Sequence, residues 1–125
     1  MKPYERFDAW RACHRLVLAV YQATRDYPDH ERYGLVAQTR RAAASAPLNM
    51  AEGSARRGRR EFRRFLDIAN ASLSEVAYAL HLAKDLGYLT DPQSNELFAL
   101  REDASRLTWK LYESMGREFK PSKAG

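Results

Sequence analysis

The residues best equipped for chemistry in this chain are arginines. Arg56, Arg57, Arg59, Arg60, Arg63 and Arg64 crowd one short stretch, and arginine supplies 16 of the 21 basic residues. Between Arg40 and Arg64 eight arginines face two acids, Glu52 and Glu61, a local charge of +6. The whole chain carries +5, so the remainder sums to −1. A planar guanidinium binds two phosphate oxygens at once and stacks on bases, so such a ridge suits a polyanion. The competing view is a solvated, arginine-rich turn in a sequence that favours Arg and Ala. A helix that begins with arginines places cations at its positive end, which costs stability and so favours a functional ridge. Arg40, Arg56, Arg57, Arg59, Arg60, Arg63 and Arg64 are therefore the candidate nucleic-acid-binding residues.

Other chemistries fail on spacing. Di-iron sites in helix bundles use Glu-x-x-His pairs, but Glu52 meets Ala55 and Glu75 meets Tyr78. The zinc-protease pattern breaks at Gly34, where a second histidine should follow His30-Glu31. His14, His30 and His81 stand apart in sequence, and Ser45 has no nearby histidine to activate it. GSARRGRRE lacks the Gly-Lys-Ser/Thr ending of a phosphate loop. Cys13 falls on the core side of its helix and reads as inert packing. No catalytic residue, metal site or cofactor is expected, and the protein is expected not to be an enzyme.

These residues need helices to position them. A first helix is predicted near residues 7–26, with Trp10, Cys13, Val17, Val20 and Tyr21 at helical spacing. A second is predicted from about Glu31 to Glu52, and a third from Arg59 to Leu86. In the third, Phe62, Leu66, Ala69, Leu73, Val76, Leu80 and Ala83 alternate steps of four and three, the seam of a packed bundle helix. Gly87 is its natural stop. Thr90-Asp91-Pro92 caps a fourth, which carries Leu97, Leu100, Ala104, Leu107, Leu111 and Met115. Short connections imply antiparallel neighbours. The expected fold is all-α, an antiparallel up-down four-helix bundle, with one domain over residues 1–119 and a disordered tail over 120–125.

The second helix has two peculiarities. Pro47 lies inside it and is expected to kink or break it. Gln38, Arg41, Ser45, Asn49 and Glu52 form a polar stripe, while Glu75 lies between Ile68 and Leu82 in a second apolar stripe of the third helix. A hairpin turning near Arg57 brings Arg41 level with Ser72 and Glu75. A buried carboxylate needs a partner, so an Arg41–Glu75 pair is predicted, extended by Gln38, Ser45 and Asn49. Apolar surplus on two helices (Ile68, Leu82 and Leu86 on the third, Phe98, Trp109 and Tyr112 on the fourth) points to an oligomer interface.

Composition narrows the class. At 125 residues and 14.4 kDa one domain is expected, and it can bury roughly two-thirds of its unfolded surface without staples. A single cysteine forms no internal disulfide, and MKPYERFDAW lacks the apolar run of a signal peptide. A cytoplasmic protein without membrane association is expected.

Several of these features recur together in a known family. AWRACHRLVLAVYQ, the block from Tyr33 to Val76 and LAKDLGYL resemble the four-helix bundle proteins of the 23S ribosomal RNA intervening-sequence type, over about residues 7–89. RRAA-x-S-x-P-x-N-x-AEG is Arg40 to Gly53, and EF-x-RFL is Glu61, Phe62, Arg64, Phe65 and Leu66. The accessory protein of diversity-generating retroelements, which works with a reverse transcriptase, is a relative. The sequence departs from the usual pattern at Ala46 and Ala71, both small enough to preserve close packing. The resemblance implies a homo-oligomeric ring, typically a pentamer, with a basic surface and nucleic-acid association. On it, Arg40 and Arg41 match the paired arginines, and Arg56 and Arg60 the basic turn. The expected function is non-enzymatic binding of RNA or DNA through the phosphate backbone. The alternative is a scaffold or accessory subunit that binds a protein partner and no nucleic acid.

Overall fold

The structure, a computed structural model, describes residues 1–117; the tail predicted over 120–125 lies outside them. A 3-10 turn, Pro3–Arg6, leads into α1 (Asp8–Thr24), and a second, Asp29–Glu31, precedes α2 (Leu35–Ser54). Then come α3 (Arg59–Asp85) and α4 (Asp91–Arg117). Each helix packs antiparallel on its chain neighbour, and α4 returns to α1, which closes a four-helix bundle.

The α3 seam sits as its spacing predicts: Phe62, Leu66, Ala69, Leu73, Val76, Leu80 and Ala83 are all buried. Each fully buried leucine contributes roughly 1.5–3 kcal/mol. Leu35, Val36, Ala43, Ala46 and Met50 of α2 are buried against it. Gly87 ends α3 with φ 81°, and the Tyr88 N–H donates to the Ala83 carbonyl at 2.9 Å. Thr90 caps α4: Gln93 N–H donates to its Oγ1 at 3.3 Å, and Gln93 Oε1 accepts from Thr90 N–H at 2.9 Å. This is the reciprocal capping box.

Three expectations are corrected. α2 begins at Leu35 rather than Glu31, because the Glu31 carboxylate accepts from the Leu35 N–H at 3.1 Å and so caps the helix from outside. Of the kink or break expected at Pro47, the structure shows no break: α2 is continuous through this buried residue; nearby, Asn49 Nδ2 donates to the Ser45 carbonyl at 2.8 Å. The core face of α1 is Ala9, Ala12, Cys13, Leu16 and Val20. Trp10 is only half-buried and Tyr21 is exposed, because each ring has a partner on the rim. Trp10 stacks on His14 at 5.0 Å, and Tyr21 lies beneath Arg40.

Candidate nucleic-acid interface

Up-down topology gathers the start of α1, the end of α2, the start of α3 and the end of α4 at one end of the bundle. Phe7 meets Phe62 there with ring centroids 5.4 Å apart. Gly53 lets α2 close onto α3: a Cβ at this position would stand 2.6 Å from Cβ of Phe65 and 3.0 Å from the Phe62 ring. Gly58, at φ 83°, turns the chain so that α3 starts beside the end of α2. The arginine stretch occupies this turn and the first turns of α3.

Four of its arginines, Arg56, Arg57, Arg60 and Arg64, are exposed. Arg57 and Arg60 make no hydrogen bond or ion pair among the described residues. Arg56 pairs with Glu52 at 2.8 Å, and Arg64 binds both oxygens of Glu61 at 3.2 Å. The Arg64 hydrogen bond holds the Glu61 carboxyl below its usual range, and Arg56 adds to the effect. Exposed pairs of this kind add little net stability in water, so either guanidinium can exchange its carboxylate for a phosphate at little cost. Both also lie over the Phe65 ring, at 5.3 Å and 4.6 Å. Phe65 itself is buried as the hydrophobic pattern requires.

Arg59 and Arg63 are half-buried and belong to the packing. The Arg63 guanidinium lies 4.2 Å over the ring of Tyr112, which in turn stacks on Trp109 at 5.1 Å and 22°. Gly116 makes room for it, since a Cβ there would stand 2.7 Å from Cζ of Arg63. Arg40 does not belong to the surface ridge. Its Nε donates to Thr24 Oγ1 at 2.8 Å, a terminal nitrogen donates to the Tyr21 carbonyl at 3.2 Å, and its cation lies 4.6 Å over the Tyr21 ring. A cation on the last carbonyls of α1 is favourable there, so Arg40 ties α1 to α2.

The expected polar network forms only in its centre. Ser45 and Ser72 hydroxyls are 2.8 Å apart, and Asn49 Nδ2 donates to Ser45 Oγ at 3.0 Å. Glu52 is drawn away to Arg56. Gln38, Arg41 and Glu75 line one open cavity of about 240 Å³ between α2 and α3, but no ion pair joins Arg41 to Glu75. Both are exposed, so the desolvation that was to compel their pairing is absent within one protomer.

The six expected interface residues divide between two helices. Ile68, Leu82 and Leu86 lie on the α2 flank of α3; Leu86 is 51% and Ile68 38% exposed, and Tyr78, 67% exposed, joins them. Phe98 packs on the protomer's own core, Tyr112 lies under Arg63, and Trp109 stacks on Tyr112. That Trp109 and Tyr112 share a face is legible from their spacing; the meeting of Tyr112 with Arg63 is not. Among the described residues no three His, Cys, Asp or Glu side chains group closely enough to hold a metal ion, and no helix is long and apolar enough to cross a membrane.

The geometry therefore defines an all-α four-helix bundle with one arginine-faced end. The sequence matches the 23S rRNA-intervening sequence protein family over residues 5–110, and the chain belongs to that family. Its fold is similar to the crystal structure of a protein of unknown function from the S23 ribosomal protein family of Bacteroides thetaiotaomicron. The TM-score is 0.69 and the identity 18%, over 86% of this chain and 97% of the other. No curated protein matches the sequence.

Proposed function

We propose that this is a non-enzymatic cytoplasmic protein that binds RNA or DNA through the phosphate backbone and assembles into a homo-oligomeric ring. The observation that carries the proposal is the arginine-faced end, where Arg57 and Arg60 are exposed without carboxylate partners among the described residues. Arg56 and Arg64 flank them with weakly committed guanidiniums. Ring assembly is supported by the apolar α2 flank of α3, where the oppositely charged Arg41 and Glu75 border one open cavity. The resemblance of the Arg40–Gly53 and Glu61–Leu66 blocks favours a pentamer.

Salt dependence tests the binding. Four phosphates contacted per subunit give a log–log slope near −3 for a single strand. The double variant Arg57→Gln/Arg60→Gln should halve it to about −1.5. Affinity that does not vary with salt refutes the proposal.

A second reading, a protein-interaction scaffold without nucleic-acid binding, is favoured by the exposed Tyr78 and Leu86 on the same apolar flank. Under it, replacing Arg56, Arg57, Arg60 and Arg64 with Gln leaves partner capture unchanged, and no nucleic acid is retained by the native protein.

A further inference from the structure

Backbone contacts position a strand but do not engage its bases. Engaging an unpaired base takes an exposed aromatic face beside the cations. Within the arginine stretch itself no such face exists, because Phe62 and Phe65 are buried. The fold supplies one from α4. The Arg63 guanidinium, the Tyr112 ring and the Trp109 indole form a continuous series, with 4.2 Å between the first two and 5.1 Å between the rings. Trp109 is 52% exposed, so the series ends in ring surface open to solvent.

Beside it runs a groove of about 320 Å³, lined by Arg60, Glu61, Arg63, Arg64, Asp67 and Tyr112. Its charges have distinct parts. Arg60 is exposed and uncommitted among the described residues, and Glu61 is neutralised by Arg64. Asp67 is exposed and makes no hydrogen bond or ion pair among the described residues. A lone carboxylate repels phosphate, so in a phosphate-binding groove it needs a donor. In RNA the sugar carries one, the 2′-hydroxyl; in DNA it does not.

We propose that this groove is a subsite for an unpaired RNA nucleotide. The base stacks on Trp109, extending the Arg63–Tyr112 series; the phosphate lies on Arg60; the 2′-hydroxyl donates to Asp67. This rests on the backbone-binding function above and adds to it a preference for unpaired RNA. Charge favours this occupant over a second copy of the chain, since Arg60, Arg63 and Arg64 outnumber Glu61 and Asp67 along the groove.

The test uses the full chain carrying Trp10→Phe, so that Trp109 is the single tryptophan. It is titrated with oligouridylate of about 12 nucleotides, within single-strand site sizes, and with oligodeoxyuridylate and an abasic strand of equal length. Oligouridylate should quench the Trp109 fluorescence and bind roughly 5- to 150-fold more tightly than the abasic strand, the range of one base–aromatic stack. Trp109→Ala should lose that factor while Trp109→Phe keeps most of it, and far-UV circular dichroism checks that both remain folded. Asp67→Asn should weaken the preference for oligouridylate over oligodeoxyuridylate.

Equal affinity for oligouridylate and the abasic strand overturns the subsite and leaves backbone binding standing. No binding of any strand overturns both. A loss of assembled mass in Trp109→Ala, measured by light scattering without RNA, also overturns the subsite, because the indole then belongs to contacts between copies.

Discussion

Gly53 and Phe65 approach so closely that a single added methyl on Gly53 would lie 2.6 Å from the Phe65 Cβ. That atom is fixed to the α3 backbone and cannot swing aside, so the helices themselves must separate. Gly53→Ala is expected to destabilise the bundle by roughly 1–3 kcal/mol, the usual cost of overpacking. Chemical denaturation measures it directly, and an unchanged midpoint would show that the α2–α3 approach is slack. The contrast is Gly116→Ala, where the obstructed atoms are the far end of Arg63. There the guanidinium moves off Tyr112 and stability changes little.

The connection between α1 and α2 should respond to acid. Glu31 accepts from the Leu35 N–H at 3.1 Å and from the Tyr88 hydroxyl at 2.8 Å, and these bonds, the first above all, hold its carboxyl below the usual range. A depressed folded value means the stabilisation is present above the unfolded value of about 4.3 and is lost as pH falls through the folded one. Urea midpoints should therefore drop more steeply below about pH 4.3 in the native protein than in Glu31→Gln, which lacks the titrating group. Parallel pH profiles would contradict this.

Cys13 should be chemically silent. It is fully buried, its sulfur lies 3.6 Å from Thr108 Oγ1, and burial pushes the thiol up to about 11 despite that contact. Near pH 8 it is overwhelmingly protonated and shielded. A thiol reagent such as dithionitrobenzoate should label the denatured chain stoichiometrically and the folded chain hardly at all. Rapid labelling of the folded protein would place the sulfur nearer the surface.

If the α2 flank of α3 is the assembly face, Arg41 and Glu75 act between copies rather than within one. Arg41→Glu and Glu75→Arg should each lower the assembled mass measured by light scattering, and the double exchange should restore most of it. Unaltered mass in both single variants would move the interface elsewhere. Because both residues are exposed in the protomer, protomer stability should change by no more than about 0.5 kcal/mol.

The helices and the α3 seam could be read from the chain, because a period of 3.6 residues is a local property. Seven residues from Phe62 to Ala83 announce the buried face, and Gly87 and Thr90 announce where one helix stops and the next begins. The arginine excess was equally visible, since charge is counted residue by residue. Rotational phase was harder where small residues make the core: of the α1 residues at helical spacing Cys13 and Val20 are fully buried, but Trp10 is half-buried and Tyr21 exposed, and Ala9, Ala12 and Leu16 complete the buried face.

What only the tertiary structure decided is which arginines are available. Arg40 and Arg57 look alike in sequence, yet one ties the end of α1 to α2 and the other stands exposed. Arg63 is likewise withdrawn onto Tyr112, nearly fifty residues away, and Tyr112 in turn stacks on Trp109. A guanidinium goes to whichever carbonyl, carboxylate or ring the fold sets within its reach. That choice depends on contacts between helices, and spacing along one helix carries no record of them.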